Sequence, residues 1–382
     1  MNFSKAFLKT FSHIDWLLFI FTIPIMGAGL VTMTSFGIDH TGLSFFVKQL
    51  IWIILAIIAF FFTSLIDFRL LKETRILVRL FIFCASLLIV LFVLGHTAKG
   101  AKSWFSLGGF SFQPVDLMKL IVVIMLAKYF SRRHVEIAQW RHIIISAVYM
   151  FVPFMLVFLQ PDFGSAMIIF FVWFGMLLVS GIGRKQILIL VSIGFIIFSF
   201  LWIGVFKPYQ KARIMNFVSP YSDIRGTGYN AYQSTIAVGS GKIFGKGVGF
   251  GTQSHLQFLP EYQTDFIFSA FAEEWGFVGT ILLFILLGLL IWRILLTANM
   301  GSTNFEMLFG VGVALLFMSH LIINIGMDIG LMPVTGIPLP LMSYGGSHLL
   351  IEMSALGLLM STRKYARATH RDSMKNEFLG IA

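Results

Sequence analysis

Asp116 and Lys119 stand three residues apart in an apolar stretch, a spacing that puts an acid and a base on one face of a helix, where they can pair. Asp265 follows Pro260-Glu261-Tyr262-Gln263-Thr264, where polar sequence gives way to an apolar run. A carboxylate at such an edge can take a proton from a polar substrate. It can equally accept free backbone N–H groups as a helix N-cap, and so can Thr264. A helix N-terminus stabilises the anion and lowers its basicity. A working base there needs partial burial or an acidic neighbour, and Glu261 is close enough in sequence to be one. Glu273 and Glu274 come two to three turns further on, and Asp162, Asp328 and Glu352 also have apolar surroundings. An ionisable group near a membrane interior is costly, so each needs a reason. The plain reading of Asp116–Lys119 is an internal salt bridge holding helices together. For Glu273 and Glu274 it is a pair of hydrogen-bonded structural carboxylates.

The stretch from Asn324 to Ser347 contains Pro333, Pro338 and Pro340. Proline removes donors and blocks the preceding turn, so this cannot be a continuous helix. It is too apolar for a free aqueous loop, and a broken segment lining a cavity fits both facts. Ser343 to Ser347 opens the next helix. Its free N–H groups and small residues suit an anion such as a diphosphate, or else a tight interhelical turn with glycines for close approach. Residues 207–263 carry six cations, among them Arg213, against Asp223 and Glu261, a net +4 that suits anionic headgroups or an anionic substrate. The glycines from Gly239 to Gly251 have a loose GxGxG spacing, but no strand precedes them, which argues against a dinucleotide site. The sequence has no Cys/His metal cluster, no nucleophile elbow and no P-loop, and its single cysteine, Cys84, cannot form an intrachain disulfide.

These residues need a scaffold, and composition says which kind. Of 382 residues 58% are apolar and 12% charged, against roughly 45–50% and about 25% in soluble domains. Too few charges remain to cover a water-facing surface. An ordinary soluble enzyme, a disordered chain and a nucleic-acid binder are excluded, and the net charge of +11 is not gathered into one basic patch. A bilayer-crossing helix needs about 20 apolar residues. Ten segments fit: Trp16–Ser35, Phe45–Ile66, Ile76–Leu94, Val115–Phe130, Ile143–Leu159, Ser165–Gly181, Gln186–Phe206, Phe266–Leu296, Phe305–Ile325 and Ser347–Met360. The first, with no cleavage site after it, reads as a retained span. Cations concentrate in one set of short loops and in the tail from Arg363, which places both termini in the cytoplasm and 207–263 outside. The expected fold class is therefore an all-α polytopic membrane protein. It forms one domain, with a large extracytoplasmic loop at 207–263 and a basic cytoplasmic tail at 363–382.

Two stretches, Pro260–Gly276 (PEYQTDFIFSAFAEEWG) and Gly330–Ser347 (GLMPVTGIPLPLMSYGGS), resemble the SEDS family of RodA, FtsW and SpoVE. GAKSW at Gly100–Trp104, FQPVDLMKL at Phe112–Leu120, QPDFGS at Gln160–Ser165, ARI at Ala212–Ile214 and GYNAYQSTIAVGSG at Gly228–Gly241 extend the resemblance along nearly the whole chain. Gly251–Ser254 followed by Phe258–Glu261 is most similar to the RodA branch. The resemblance implies a peptidoglycan glycosyltransferase of the bacterial cytoplasmic (inner) membrane. Such an enzyme polymerises lipid II into glycan strands on the extracytoplasmic face during elongation and maintenance of rod shape. Its implied partners are a cognate class B penicillin-binding protein, other elongation-complex membrane proteins and membrane lipid. Carried over by the resemblance, Asp265 matches the family's essential aspartate, as base or as ligand of a divalent cation such as Mg or Mn. Asp116 and Lys119 match a cavity-lining pair in which the family usually has glutamate at the acidic position. The same motifs and the basic loop supply the other expected substrate and cavity residues: Arg213, Gln233, Ser234, Glu261, Thr264, Ser343, Tyr344, Gly346 and Ser347. Two rival readings are a lipid II flippase and a non-catalytic scaffold. A transporter should show similarly interrupted helices in two halves, whereas the sequence shows one strongly broken segment, near its C-terminus.

Overall fold

A computed structural model describes residues 11–37, 44–94, 96–98, 101–107, 110–133, 139–204, 206–219, 223 and 226–378. The loop cations Lys99 and Arg225 and the last four residues of the basic tail lie outside these. Each of the ten apolar segments is a helix: α1 (Trp16–Thr32), α2 (Phe45–Leu65), α3 (Thr74–Leu94), α4 (Pro114–Arg133), α5 (Trp140–Leu159), α6 (Phe163–Val179), α7 (Arg184–Gly204), then α11 (Ile267–Asn299), α12 (Asn304–Asp328) and α13 (Gly346–Phe378). Between α7 and α11 lie three short helices, α8 (Pro208–Val218), α9 (Tyr229–Ser240) and α10 (Thr252–His255). Among the described residues seven helices are long and apolar enough to cross a membrane, and α6 is a shorter apolar one. The charges of α4 and the polar second half of α13 keep those two below that measure.

Polar residues punctuate the helices. Asp15, Ser44, Asp162 and Thr303 accept the N–H of Leu18, Val47, Ser165 and Glu306 as N-caps, and Pro114 opens α4, where its missing donor costs nothing. The core centres on α12, enclosed by α4, α6, α9 and α11, while α2 lies along α13 and α1 along α11. α7 buries none of its residues. The connection between α3 and α4, read above as a loop, holds a small antiparallel sheet: β1 (His96–Ala98), β2 (Ala101–Leu107) and β3 (Phe110–Phe112), in that order, with Phe105 opposite Phe112. β1 and β3 have three residues each, and Ala101–Leu107 lacks a strict apolar alternation, so the sheet does not announce itself.

Two helices are interrupted near one another, not one as the sequence suggested. α12 ends at Asp328 and irregular backbone runs from 329 to 345 before α13. α11 is broken at Gly276, whose backbone (φ 66°, ψ −166°) is open essentially to glycine alone. The break frees carbonyls and N–H groups, and the outer loop satisfies them. Lys246 and Gly247 donate to the carbonyls of Glu273 and Glu274, at 3.0 Å each, and Phe277 and Val278 donate to those of Lys242 and Ile243. Gly241, Gly245 and Gly276 are where the two backbones touch, with no room for a Cβ. Of the loosely repeated glycines, Gly241 and Gly245 form this packing contact, while Gly239 and Gly249 have open space beside them. Glu273 Oε1 accepts Lys246 Nζ at 2.6 Å and the Thr252 hydroxyl at 3.0 Å, and Glu274 Oε1 accepts the Ser35 hydroxyl at 2.8 Å and the Gly249 N–H at 3.1 Å. Both glutamates pin the loop to the bundle.

Candidate functional site between two broken helices

Asp265 is presented by a tight turn, not by a helix. Glu261 adopts a positive φ of 54°, and its carbonyl gathers the N–H groups of Thr264, Asp265 and Phe266 at 3.1, 3.1 and 3.2 Å. The Thr264 hydroxyl donates to Glu261 Oε2 at 2.9 Å. The N-cap position of α11 falls on Phe266, which makes no side-chain cap bond. A carboxylate from another helix serves this end of α11: Asp328 Oδ2 accepts the Ser269 N–H at 3.1 Å. Asp265 is half-buried and faces the second break. A Cβ on Gly336 (φ 74°) would stand 3.3 Å from Asp265 Oδ2, so the carboxylate lies over bare backbone. Asn324 ties the pieces together, its Nδ2 donating to the carbonyls of both Asp265 and Ile337 at 2.7 Å. Beside Asp265, burial and the charge of Glu261 push the Tyr262 phenol above its usual range, and its ring packs edge-on against Phe36 at 4.6 Å.

The backbone from Gly330 to Val334, just before Gly336, walls a cavity of about 310 Å³ whose other sides include Arg213, Asn216, Tyr232 and Thr235. Arg213 also reaches a smaller cleft beside Phe163 and Thr335. Among the described residues, Arg213 is the cation that lines both spaces, within a few residues of the Asp265 platform along the shared wall. The rim is shaped by Asp223, whose carboxylate takes the Thr227 N–H and hydroxyl at 2.8 and 3.0 Å; those bonds hold it below the usual carboxylate range.

Asp116 and Lys119 meet at 3.0 Å, with about 3% of each residue exposed, so the shorter aspartate closes the pair. Two histidines that the sequence reading did not single out complete the cluster. His348 bridges Asp116 (3.4 Å) and Glu352 (2.9 Å), His320 Nε2 lies 3.4 Å from Lys119 Nζ, and the two rings stack 4.7 Å apart. Glu352 Oε2 accepts the N–H of Leu341, and His320 Nδ1 lies 3.4 Å from the Pro338 carbonyl. The cluster therefore braces the far half of the segment whose near half carries Gly336. Asp116 and Lys119 are one turn apart on α4, and so are His348 and Glu352 on α13, but no spacing links the two pairs to each other or to His320 of α12.

The remaining expected residues serve packing in this structure. Ser234 is fully buried, its hydroxyl 2.6 Å from that of Ser269 and 2.7 Å from the Asp328 carbonyl, and it locks α9 to α11 and α12. Its neighbour Gln233 keeps a buried Oε1 with no hydrogen bond. The Ser343 hydroxyl joins the Thr264 carbonyl (2.7 Å) to the Leu339 N–H (2.8 Å), and the Tyr344 N–H donates to the Gln263 carbonyl at 2.9 Å. Gly346 lies against the Trp52 indole, and the Ser347 hydroxyl accepts the Gln113 N–H at 3.3 Å. Of the two readings of this segment, these contacts make the tight interhelical turn. Among the described residues no group of three or more His, Cys, Asp and Glu is arranged to hold a metal ion.

A half-buried carboxylate between two broken helices, beside an arginine-lined cavity and above a buried charge cluster, defines a polar site built into a multi-pass membrane protein. Residues 10–368 match the FtsW/RodA/SpoVE family model, described as "Cell cycle protein", and the chain belongs to that family. It is 39% identical to the peptidoglycan glycosyltransferase MrdB of Escherichia coli (strain K12) over 292 residues, 76% of this chain and 77% of that protein. It is 33% identical to the stage V sporulation protein E of Bacillus subtilis (strain 168) over 362 residues, 92% of this chain and 98% of that one. Among solved structures it is similar to a chain of a peptidoglycan synthase complex, described for its structural coordination of polymerization and crosslinking. That match has a TM-score of 0.79 and 30% identity and covers 92% of this chain and 98% of that one. The rod shape determining protein RodA of Thermus thermophilus matches with a TM-score of 0.68 and 28% identity, over 92% and 96% of the two chains.

Proposed function

We propose that this protein is a peptidoglycan glycosyltransferase that polymerises lipid II, with Asp265 as the group that activates the attacking hydroxyl. The observation that carries this is the placement of Asp265: on a strained turn, over Gly336, beside the wall of the Arg213 cavity. In the reaction the 4-hydroxyl of the incoming lipid II attacks the anomeric carbon of the growing chain. A new carbon–oxygen bond forms, the bond to the diphosphate oxygen breaks, and Asp265 takes the hydroxyl proton. Its half-buried position over Gly336 supports that role. Arg213 is suited to the negative charge that develops on the leaving diphosphate. The apolar flanks of the cavity, from Phe217, Ile236 and Val334, suit a polyprenyl tail.

A divalent cation fits here in one way only. With a single carboxylate at hand, Asp265 would share it with substrate phosphates and water, as magnesium is commonly held, and it would add positive charge beside the leaving group. The working face of the bundle is taken to be extracytoplasmic and the membrane the bacterial inner membrane, on the strength of the cation asymmetry of the loops. A class B penicillin-binding protein is the expected partner, supported by the likeness to a synthase complex that coordinates polymerization with crosslinking. The test is polymerisation of labelled lipid II by the purified protein with that partner. Asp265→Asn keeps the shape but cannot accept a proton at neutral pH, and it should fold, bind its partner and lose roughly 10²–10⁴-fold in rate. Near wild-type synthesis by the folded variant would refute the assignment.

A further inference from the structure

We propose that the end of the bundle remote from Asp265 holds a site for the phosphate of an anionic phospholipid. A cavity of about 340 Å³ opens there, lined by Lys72, Lys128, Ser131, Arg132, Thr303 and Asn304. The lining comes from the last turns of α4, the first residues of α12 and the short 3-10 turn Phe68–Lys72 ahead of α3. α12 runs 25 residues from Asn304 to Asp328, whose carboxylate serves the start of α11 beside Asp265; at 1.5 Å per residue the two ends stand roughly 36 Å apart. α3 and α12, both long and apolar enough to cross a membrane, begin at this level and α4 ends there, so the cavity lies at the ends of bundle helices. That is the height of the headgroup phosphates.

The charges around the cavity are unevenly paired. Lys72 Nζ donates to Glu306 Oε1 at 3.0 Å and to the Thr303 hydroxyl at 3.3 Å, and it lies 5.7 Å from the centre of the Phe305 ring. Glu306 is buried, and its other oxygen takes the Ser302 N–H and hydroxyl, so this carboxylate is fully used within the fold. Among the described residues, the partner of Lys128 Nζ at hydrogen-bond distance is neutral, the Thr74 hydroxyl at 2.8 Å. The exposed Glu73 acts on it from further away. Arg132 follows one helical turn later on the same face, and like charges at that spacing destabilise a helix unless something lies between them. A phosphate bridging Lys128 and Arg132 supplies it. The Thr303 oxygen already accepts from Lys72 and from the Glu306 N–H, which leaves its own proton for an anion. Leu70, in the turn that delivers Lys72, is 49% exposed and gives acyl chains an apolar surface beside the charged pocket. Basic pockets between spans at this level are suited to anionic headgroups.

The test uses the full chain purified in detergent, with retained lipid counted by native mass spectrometry and thermal unfolding followed in titrations. The probes are phosphatidylglycerol, phosphatidylcholine and inorganic phosphate. Phosphatidylglycerol should be retained and should raise Tm well beyond phosphatidylcholine. Lys128→Gln and Arg132→Gln should each weaken apparent binding about fivefold and together roughly 30-fold, at the strength of a cation near an anionic surface. The single variants keep the test open if the double variant does not fold. Arg184→Gln with Lys185→Gln, at the exposed start of α7 and away from the cavity, should leave binding unchanged. Equal retention of the two lipids, or unchanged binding by the folded double variant, would overturn the site. Displacement of the lipid by millimolar inorganic phosphate, with the same gain in Tm, would assign the cavity to a soluble anion and overturn the lipid assignment.

Discussion

Replacing Asn324 with alanine tests whether Asp265 is held in place from behind. The Asn324 amide is fully buried, and its Nδ2 donates at 2.7 Å both to the Asp265 carbonyl and to that of Ile337, one residue beyond Gly336. Each neutral hydrogen bond is worth about 0.5–1.5 kcal/mol net, and a buried partner left without a donor costs about 1–3 kcal/mol. Ile337 is buried and Asp265 half-buried, so water can repair the second loss better than the first. The expected destabilisation is therefore about 2–4 kcal/mol, read as a fall in Tm in detergent. The effect on rate should be the more telling one. A displacement of about 1 Å in a catalytic group can cost roughly 10²-fold, and Asn324→Ala frees both Asp265 and the backbone beneath it. Ser234→Ala is the control, since that hydroxyl is as buried and joins the same helices but touches neither Asp265 nor the Gly336 segment. It should cost about 1–3 kcal/mol and leave turnover per folded molecule unchanged. Turnover that stays near wild type in folded Asn324→Ala, or falls no further than in Ser234→Ala, would refute the positioning argument.

Gly276→Ala should destabilise by about 1–3 kcal/mol from backbone conformation alone, and by more because the new Cβ would meet the backbone of Gly245 and Ile243. Gly288→Ala, further along the same helix with open space around it, should be neutral or stabilise by about 0.5–1 kcal/mol; equal effects of the two in thermal unfolding would sink this account of the break. Lys119→Met should cost about 3–5 kcal/mol, as expected when one member of a buried ion pair is removed, and adding Asp116→Asn should recover much of it. A double variant as unstable as the sum of both singles would show that the pair is not coupled.

The sequence was most informative where the physics is local. Long apolar runs, cap residues and prolines act within a few neighbours, so the ten helices and the break after Asp328 follow from reading along the chain. Asp265 could be singled out, because a carboxylate at the border of an apolar run is uncommon, but base and cap could not be told apart there. The carboxylate that serves this end of α11 in the structure is that of Asp328, 63 residues away. The break at Gly276 was hidden for a similar reason. A lone glycine in an apolar helix is ordinary, and what permits this one to kink is the backbone of residues 242–247, folded against it from outside. His320 and Asn324 meet their partners on other elements, and His348, although one turn from Glu352 on its own helix, meets Asp116 from another.

The two interruptions also bear on the choice between enzyme and transporter. A transporter built from repeats places its broken helices at corresponding positions of two halves, where they close around a site near the midplane. Here Gly276 and residues 329–345 both belong to the last third of the chain, and they lie at the same end of the bundle. One break seats the outer loop and the other passes beneath Asp265. The buried cluster of Asp116, Lys119, His320, His348 and Glu352 offers charges within the bundle, as a transport path would, but these side chains engage one another, the carbonyl of Pro338 and the N–H of Leu341, with Asp116 Oδ2 left without a hydrogen bond. A charged path must exchange its partners as cargo moves, whereas this one is engaged in holding irregular backbone still. Group transfer needs fixed geometry, and irregular backbone held by such contacts suits it better than a path that must open and close.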